Sequence, residues 1–221
     1  STVVQERITV YAGEFPTITL ENLTTPGLED RFRAGDAIRY TATRQSGTGD
    51  LRAEDPYLWS VELHHNVHKH PFLSDLPAAT GVYTMPVESH GDTDIFYRFG
   101  LRMFTAGGQE IAVYRDLAPD LITMTLSTEP QGPALMWLDG GAQSAPAEVE
   151  TIIGTQHNLV AADALVYAGS VYSFTHWVLD GAAPLATRAV SITVGANAPA
   201  YVAHYRYARP ADSLHLPLID R

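Results

Sequence analysis

The chain contains no cysteine, which excludes a disulfide framework, a thiolate nucleophile and any Cys-based zinc or iron–sulfur centre. It also lacks a basic run. Fourteen Lys and Arg face 25 Asp and Glu, a formal charge of −11, and Arg31, Arg33 and Arg39 are separated by acidic and apolar residues. That balance disfavours a nucleic-acid or anionic-membrane partner. No apolar run reaches the length of a membrane span, so no membrane insertion is expected. The chain opens Ser-Thr-Val-Val-Gln-Glu with no signal peptide, as a processed protein or a piece of a longer one does. Helical periodicity is scarce. The best helical stretch, Ala145 to Ile152, has a proline early and β-branched residues late. No Gly-rich phosphate loop follows a strand, and no GxSxG elbow occurs.

What the chain does have is punctuation. Seventeen glycines and 14 prolines divide β-branched and aromatic segments every eight to twelve residues, the rhythm of a sandwich or barrel. Ile38 to Thr43 and Trp59 to His64 alternate with period two; Val82 to Met85, Ile95 to Thr105 and Gln109 to Asp116 continue the series. The expected fold is all-β: two consecutive antiparallel sandwiches, the first immunoglobulin-like over 30–118 and a smaller one over 119–208. Residues 1–29 supply a leading segment with strands at Arg7 to Tyr11 and Thr17 to Leu20, and 209–221 form an irregular tail. Ala118-Pro119-Asp120 makes the joint.

Histidine is concentrated. His64, His65, His68 and His70 fall within seven residues, and His90 follows in a polar turn with Asp92 and Asp94. Imidazole is the commonest ligand for divalent transition metals and titrates near neutrality. On an alternating strand Trp59, Val61, Leu63 and His65 face inward and His64 outward, while His68 and His70 are expected in the loop beyond Asn66. Three imidazoles and a carboxylate from His64, His65, His68, His70, His90, Asp92 and Asp94 then approach tetrahedral or octahedral coordination. The spacing is not that of a helical HExxH site. A buried hydrogen-bonded network that pins the loop is the competing reading. The acidic stretch Asp50 to Asp55 offers oxygen ligands suited to calcium, outside an EF-hand register, and competes with a solvated turn.

Aromatic residues give a third set of candidates. Trp59, Trp137 and Trp177 lie in expected strands and read as core. Tyr57, Phe72, Tyr83 and Tyr97 surround the histidine region and are the candidate sugar-binding rings, since a sugar needs rings displayed beside polar groups. Tyr201, Tyr205 and Tyr207 share one face of the last strand and are expected to pack on Trp177. His157, His176 and His204 read as ordinary polar strand residues.

Phe32-Arg33-Ala34-Gly35-Asp36-Ala37-Ile38, Gly49-Asp50-Leu51, Leu58 to His65 and His68-Lys69-His70-Pro71-Phe72 together form a recognisable pattern. It resembles the PKD-like immunoglobulin-type module found beside secreted bacterial sugar dehydrogenases of the glucose/sorbosone class and beside other extracellular carbohydrate-related proteins. His90-Gly91-Asp92-Thr93-Asp94-Ile95-Phe96-Tyr97-Arg98 resembles the continuation. Leu138-Asp139-Gly140, Ile153-Gly154-Thr155, Tyr172 to Trp177 and Asp180-Gly181 resemble landmarks of its companion domain. The resemblance spans about residues 30 to 207. It implies a non-catalytic accessory module of a secreted or periplasmic protein, binding or positioning carbohydrate or a partner catalytic domain. The family's quinone-dependent propeller has no counterpart in these 221 residues. A metal-binding protein built on the His64–His90 region and a structural or adhesive spacer are the alternative functions.

Overall fold

The computed structural model describes residues 16–44, 57–88, 91–104 and 110–211. The leading strand expected at Arg7 to Tyr11, the acidic stretch Asp50 to Asp55, His90 and most of the tail lie outside them. In chain order the first eight strands are β1 (Pro16–Asn22), β2 (Arg31–Phe32), β3 (Ala37–Arg44), β4 (Leu58–His65), β5 (His68–Pro77), β6 (Thr80–Thr84), β7 (Ile95–Phe104) and β8 (Glu110–Pro119). Then come β9 (Leu121–Glu129), β10 (Ala134–Leu138), β11 (Gly141–Ala145), β12 (Ala147–Ile152) and β13 (Gln156–Ala161). The last four are β14 (Ala164–Tyr167), β15 (Ser170–Leu179), β16 (Ala189–Thr193) and β17 (Ala200–Pro210). The fold is all-β, as the alternation implies. The weak helical stretch is the strand β12, where β-branched residues favour an extended backbone.

The chain divides into two compact units. Among the described residues, the first takes in 16–30, 37–84 and 95–118; the second takes in 31–36, 85–94 and 119–211. Backbone hydrogen bonds tie the two short segments into the second unit. Ala34 N–H donates to Ile153 O at 2.9 Å, Gly35 N–H to Met85 O at 3.1 Å, and Gln156 N–H to Val87 O at 2.9 Å. Gly154 makes the first of these approaches possible: its φ is +87°, and a Cβ there would lie 2.4 Å from the Ala34 carbonyl oxygen.

In the first unit a three-stranded sheet, β1-β3-β6, is antiparallel throughout, and β8-β7-β4-β5 run antiparallel in the other sheet. Two antiparallel sheets packed face to face make a β-sandwich. Inward residues of the two sheets meet: the Tyr40 ring of β3 is 4.6 Å from Trp59 of β4 and 6.0 Å from Phe99 of β7. Trp59, Val61, Leu63, Phe99 and Leu101 are fully buried, as period two requires. Each such side chain contributes about 1.5–3 kcal/mol by leaving water. The Trp59 indole keeps its donor satisfied, Nε1–H to Ala78 O at 2.9 Å. Asn22, first residue of a glycosylation triplet, is buried, and its Oδ1 accepts the N–H groups of Thr24 and Thr25. That side chain caps a turn.

The second unit pairs the sheet β11-β10-β13-β16 with β12-β9-β17-β15-β14. Its core joins Met124, Leu126, Met136, Leu159, Trp177 and Tyr201. One departure from a purely antiparallel sandwich is the β9–β17 pair, which is parallel. Trp177 is core, whereas Trp137 is only half-buried. Tyr201 and Tyr205 pack inward as expected; Tyr207, further along β17, is exposed and meets the Tyr172 ring of β15 edge-on at 6.0 Å.

Candidate metal site

The histidines are organised by a hairpin. β4 ends at His65 and β5 begins at His68, so Asn66-Val67 is a two-residue loop. Asn66 has φ of 50°, a left-handed conformation that asparagine tolerates better than most residues. This corrects the expectation that His68 and His70 lie in a loop: they are the first and third residues of a ten-residue strand. The physical consequence is direct. Residues i and i+2 share one face of a strand, and directly opposed residues of an antiparallel pair share one face too. His65 is opposite His68, and Leu63 is opposite His70. His65, His68 and His70 are thereby brought to one side of the hairpin, on the inward face but at the end where the core gives out. His65 is half-buried; His68 and His70 are exposed.

The donors converge. One ring nitrogen from each of the three residues lies within 4.8 Å of the others. His65 Nε2 and His70 Nε2 are 2.9 Å apart with their rings stacked at 5.0 Å, and His68 stands edge-on to both. Two imidazole nitrogens at that distance share one proton between them, a lone pair on one accepting N–H from the other. A shared zinc-like ion at the usual Zn–N distance separates such nitrogens by about 3.3 Å, so a few tenths of an ångström of opening replaces the proton by a metal.

One further candidate ligand on the same strand, His64, stands apart from this trio. His64 projects from the opposite face of β4, stacks on Phe96 at 4.7 Å and lies 3.1 Å from Glu62 Oε2. Lys69 Nζ donates to Glu62 Oε1 at 2.7 Å. Burial raises the Glu62 pKa, but the Lys69 and His64 hydrogen bonds and charges outweigh it and hold the carboxyl below its ordinary value. Asp92 and Asp94 belong to the second unit, where Asp92 Oδ1 accepts the Asp94 N–H at 2.9 Å in a local turn. The carboxylate expected among the ligands is absent from the trio, which is all imidazole among the described residues.

The candidate sugar-binding rings make a packed cluster. Phe72, Tyr83 and Tyr97 have centroids 5.8 to 6.3 Å apart, and Tyr97 is only 2% exposed. Burial pushes the Tyr83 hydroxyl up to about 12, and burial with the neighbouring Tyr83 raises that of Tyr97. Tyr57 is half-buried and uses its carbonyl to accept the Ala78 N–H. The register Tyr97–Leu63–His70 sets this cluster beside the trio, giving the histidines an apolar flank.

One polar array escaped the sequence reading. In the second unit His157 Nδ1 is 2.6 Å from Asp139 Oδ2, and its Nε2 is 2.8 Å from Thr151 Oγ1. A carboxylate only accepts, so Nδ1 carries the proton there. The order hydroxyl–imidazole–carboxylate is that of a hydrolase triad, but Thr151 is 3% and His157 4% exposed. With hydroxyl and imidazole both buried, the array acts as a pin joining β12, β13 and the β10–β11 turn. The only prior signal was the residue types themselves, too common to mark it.

Fold and site together define a two-unit all-β sandwich protein with a three-histidine hairpin tip. Comparison with family models, curated proteins and solved structures finds no match for this chain.

Proposed function

We propose that this chain is a non-catalytic β module that binds a divalent transition-metal ion through His65, His68 and His70. The observation that carries the reading is the convergence of three ring nitrogens within 4.8 Å on one face of a two-stranded hairpin. Imidazole suits zinc, copper and nickel, while the lack of oxygen donors in the trio disfavours calcium and magnesium. The reading keeps the accessory role in an exported protein that the resemblance implies, and puts metal in place of carbohydrate as the ligand at this hairpin. The burial of Tyr97, 2% exposed, supports that replacement, because a ring sealed in the core offers no face to a sugar; of its neighbours, Tyr83 is half-buried and Phe72 stays exposed.

The test uses the full chain without a polyhistidine tag. After equilibration with zinc and gel filtration, elemental analysis is expected to find one ion per chain. The double substitution His68→Ala/His70→Ala abolishes retention, and His64→Ala, on the opposite face, leaves it intact. Retention unchanged in the double variant, or absent from the parent chain, removes the proposal.

A further inference from the structure

Resting on that reading, we infer that the bound ion is coordinatively open, and that its vacant side takes an exogenous small anion such as azide. Three features of the hairpin lead there. First, the donor set stops at three among the described residues, whereas zinc and its analogues take four or more ligands. Second, the geometry is one-sided. All three imidazoles rise from one face of one pair of strands, so they cap one side of a shared ion, and the exposure of His68 and His70 leaves its other side to water. A structural site differs in being closed by four protein ligands; three ligands and an open position are the mark of a site that exchanges.

Third, the nearest groups able to close the shell from the same strands are turned away and engaged. Glu62 and His64 lie on the opposite face of β4, held to each other, with Lys69 donating to Glu62. On the trio's own face, the flank formed by Leu63 and Tyr97 is apolar and buried, and offers the ion no carboxylate. Three neutral imidazoles also leave the ion's double positive charge uncompensated. An anion entering the vacant position therefore gains charge attraction that a neutral water lacks. The exchange is a simple substitution: azide donates a lone pair to the ion, one water leaves, and no bond within the protein changes.

Cobalt(II) is the probe, because its visible d–d absorption reports both occupancy and coordination number. The apo full-length chain is titrated with cobalt(II), freed of unbound metal, and then titrated with azide. The expected result is retained cobalt with visible bands that shift in position and intensity, saturably, as azide is added. The His68→Ala/His70→Ala variant, confirmed folded by its circular dichroism, loses the bands altogether. Retained cobalt whose bands ignore azide overturns the open-site inference and leaves metal binding standing. Failure of the parent chain to retain cobalt or zinc overturns the metal reading and this inference with it.

Discussion

Two buried polar side chains of the second unit differ in one respect, and the difference predicts opposite mutational outcomes. Among the described residues the buried Tyr201 hydroxyl has no hydrogen-bond partner, and burial, with Asp180 adding to it, pushes its pKa up to about 12. It is an O–H that gave up water for nothing. Tyr201→Phe removes only that atom, so stability is expected to rise by about 1 kcal/mol. His157 is the reverse case, with both ring nitrogens engaged and Asp139 Oδ1 also accepting the Asn158 N–H at 2.8 Å. His157→Phe strands Thr151 and Asp139 and is expected to cost roughly 2–3 kcal/mol. Urea denaturation of the two variants and the parent decides the matter; equal effects from both would mean that partner satisfaction does not govern this core. Neither property was legible in the sequence. Tyr201 and His157 look alike there, as polar-tipped residues on strands, and only the packed partners separate them.

At the scale of the element, legibility followed the hydrophobic alternation. β3, β4, β7, β9 and the first half of β17 bury alternate residues and announce themselves in the sequence. β5 does not. It is an edge strand exposed almost throughout, Pro71 interrupts it and Pro77 ends it, and its register against β4 slips on both sides of Val61. A strand with no buried face has no period to read, which is why His68 and His70 were expected in a loop. The histidines of β15 and β17 make a different kind of pair. His176 and His204 are opposite each other with rings stacked at 4.5 Å, and Glu129 of β9 is in register with His204. Burial chiefly, and His176 secondarily, lower the pKa of His204 below the ordinary value of 6.5; Glu129 opposes them. The folded chain thus binds fewer protons there than the unfolded chain. This contribution to stability is intact above 6.5 and falls away as the pH drops from there toward the lowered folded value. Thermal melts at pH 7.5 and 5.5 should show a larger loss of Tm in the parent than in His204→Gln. Parallel losses in the two proteins would assign the acid sensitivity elsewhere.

For the whole molecule, the fold class was open to inspection because alternation is a local property of adjacent residues. The division of the chain was not. Segments 31–36 and 85–94 belong to the second unit although they precede it in sequence, so the chain passes between units at 30/31, 36/37, 84/85, 94/95 and 118/119. What places them is largely backbone hydrogen bonding, to Ile153 from Ala34, to Phe32 from Asp120 and to Val87 from Gln156, which no side-chain pattern encodes. Ion pairing adds to it: Arg33 Nε donates to Asp120 Oδ2 at 2.8 Å, and Asp120 is the less exposed partner. A fragment beginning at residue 119 loses the partners of Asp120 and Gln156 and leaves the Ile153 carbonyl without the Ala34 N–H. It also loses the buried side chains of Phe32 and Met85. Orphaned backbone groups and missing apolar cover act in the same direction. The fragment 119–221 is therefore expected to unfold at a lower urea concentration than the second unit does within the full chain. Following Trp177 by fluorescence beside a Trp59→Phe/Trp137→Phe reporter background isolates that unit in both proteins. Coincident midpoints would show that the second unit holds its stability without the two segments, and that residue 118 is a sufficient boundary.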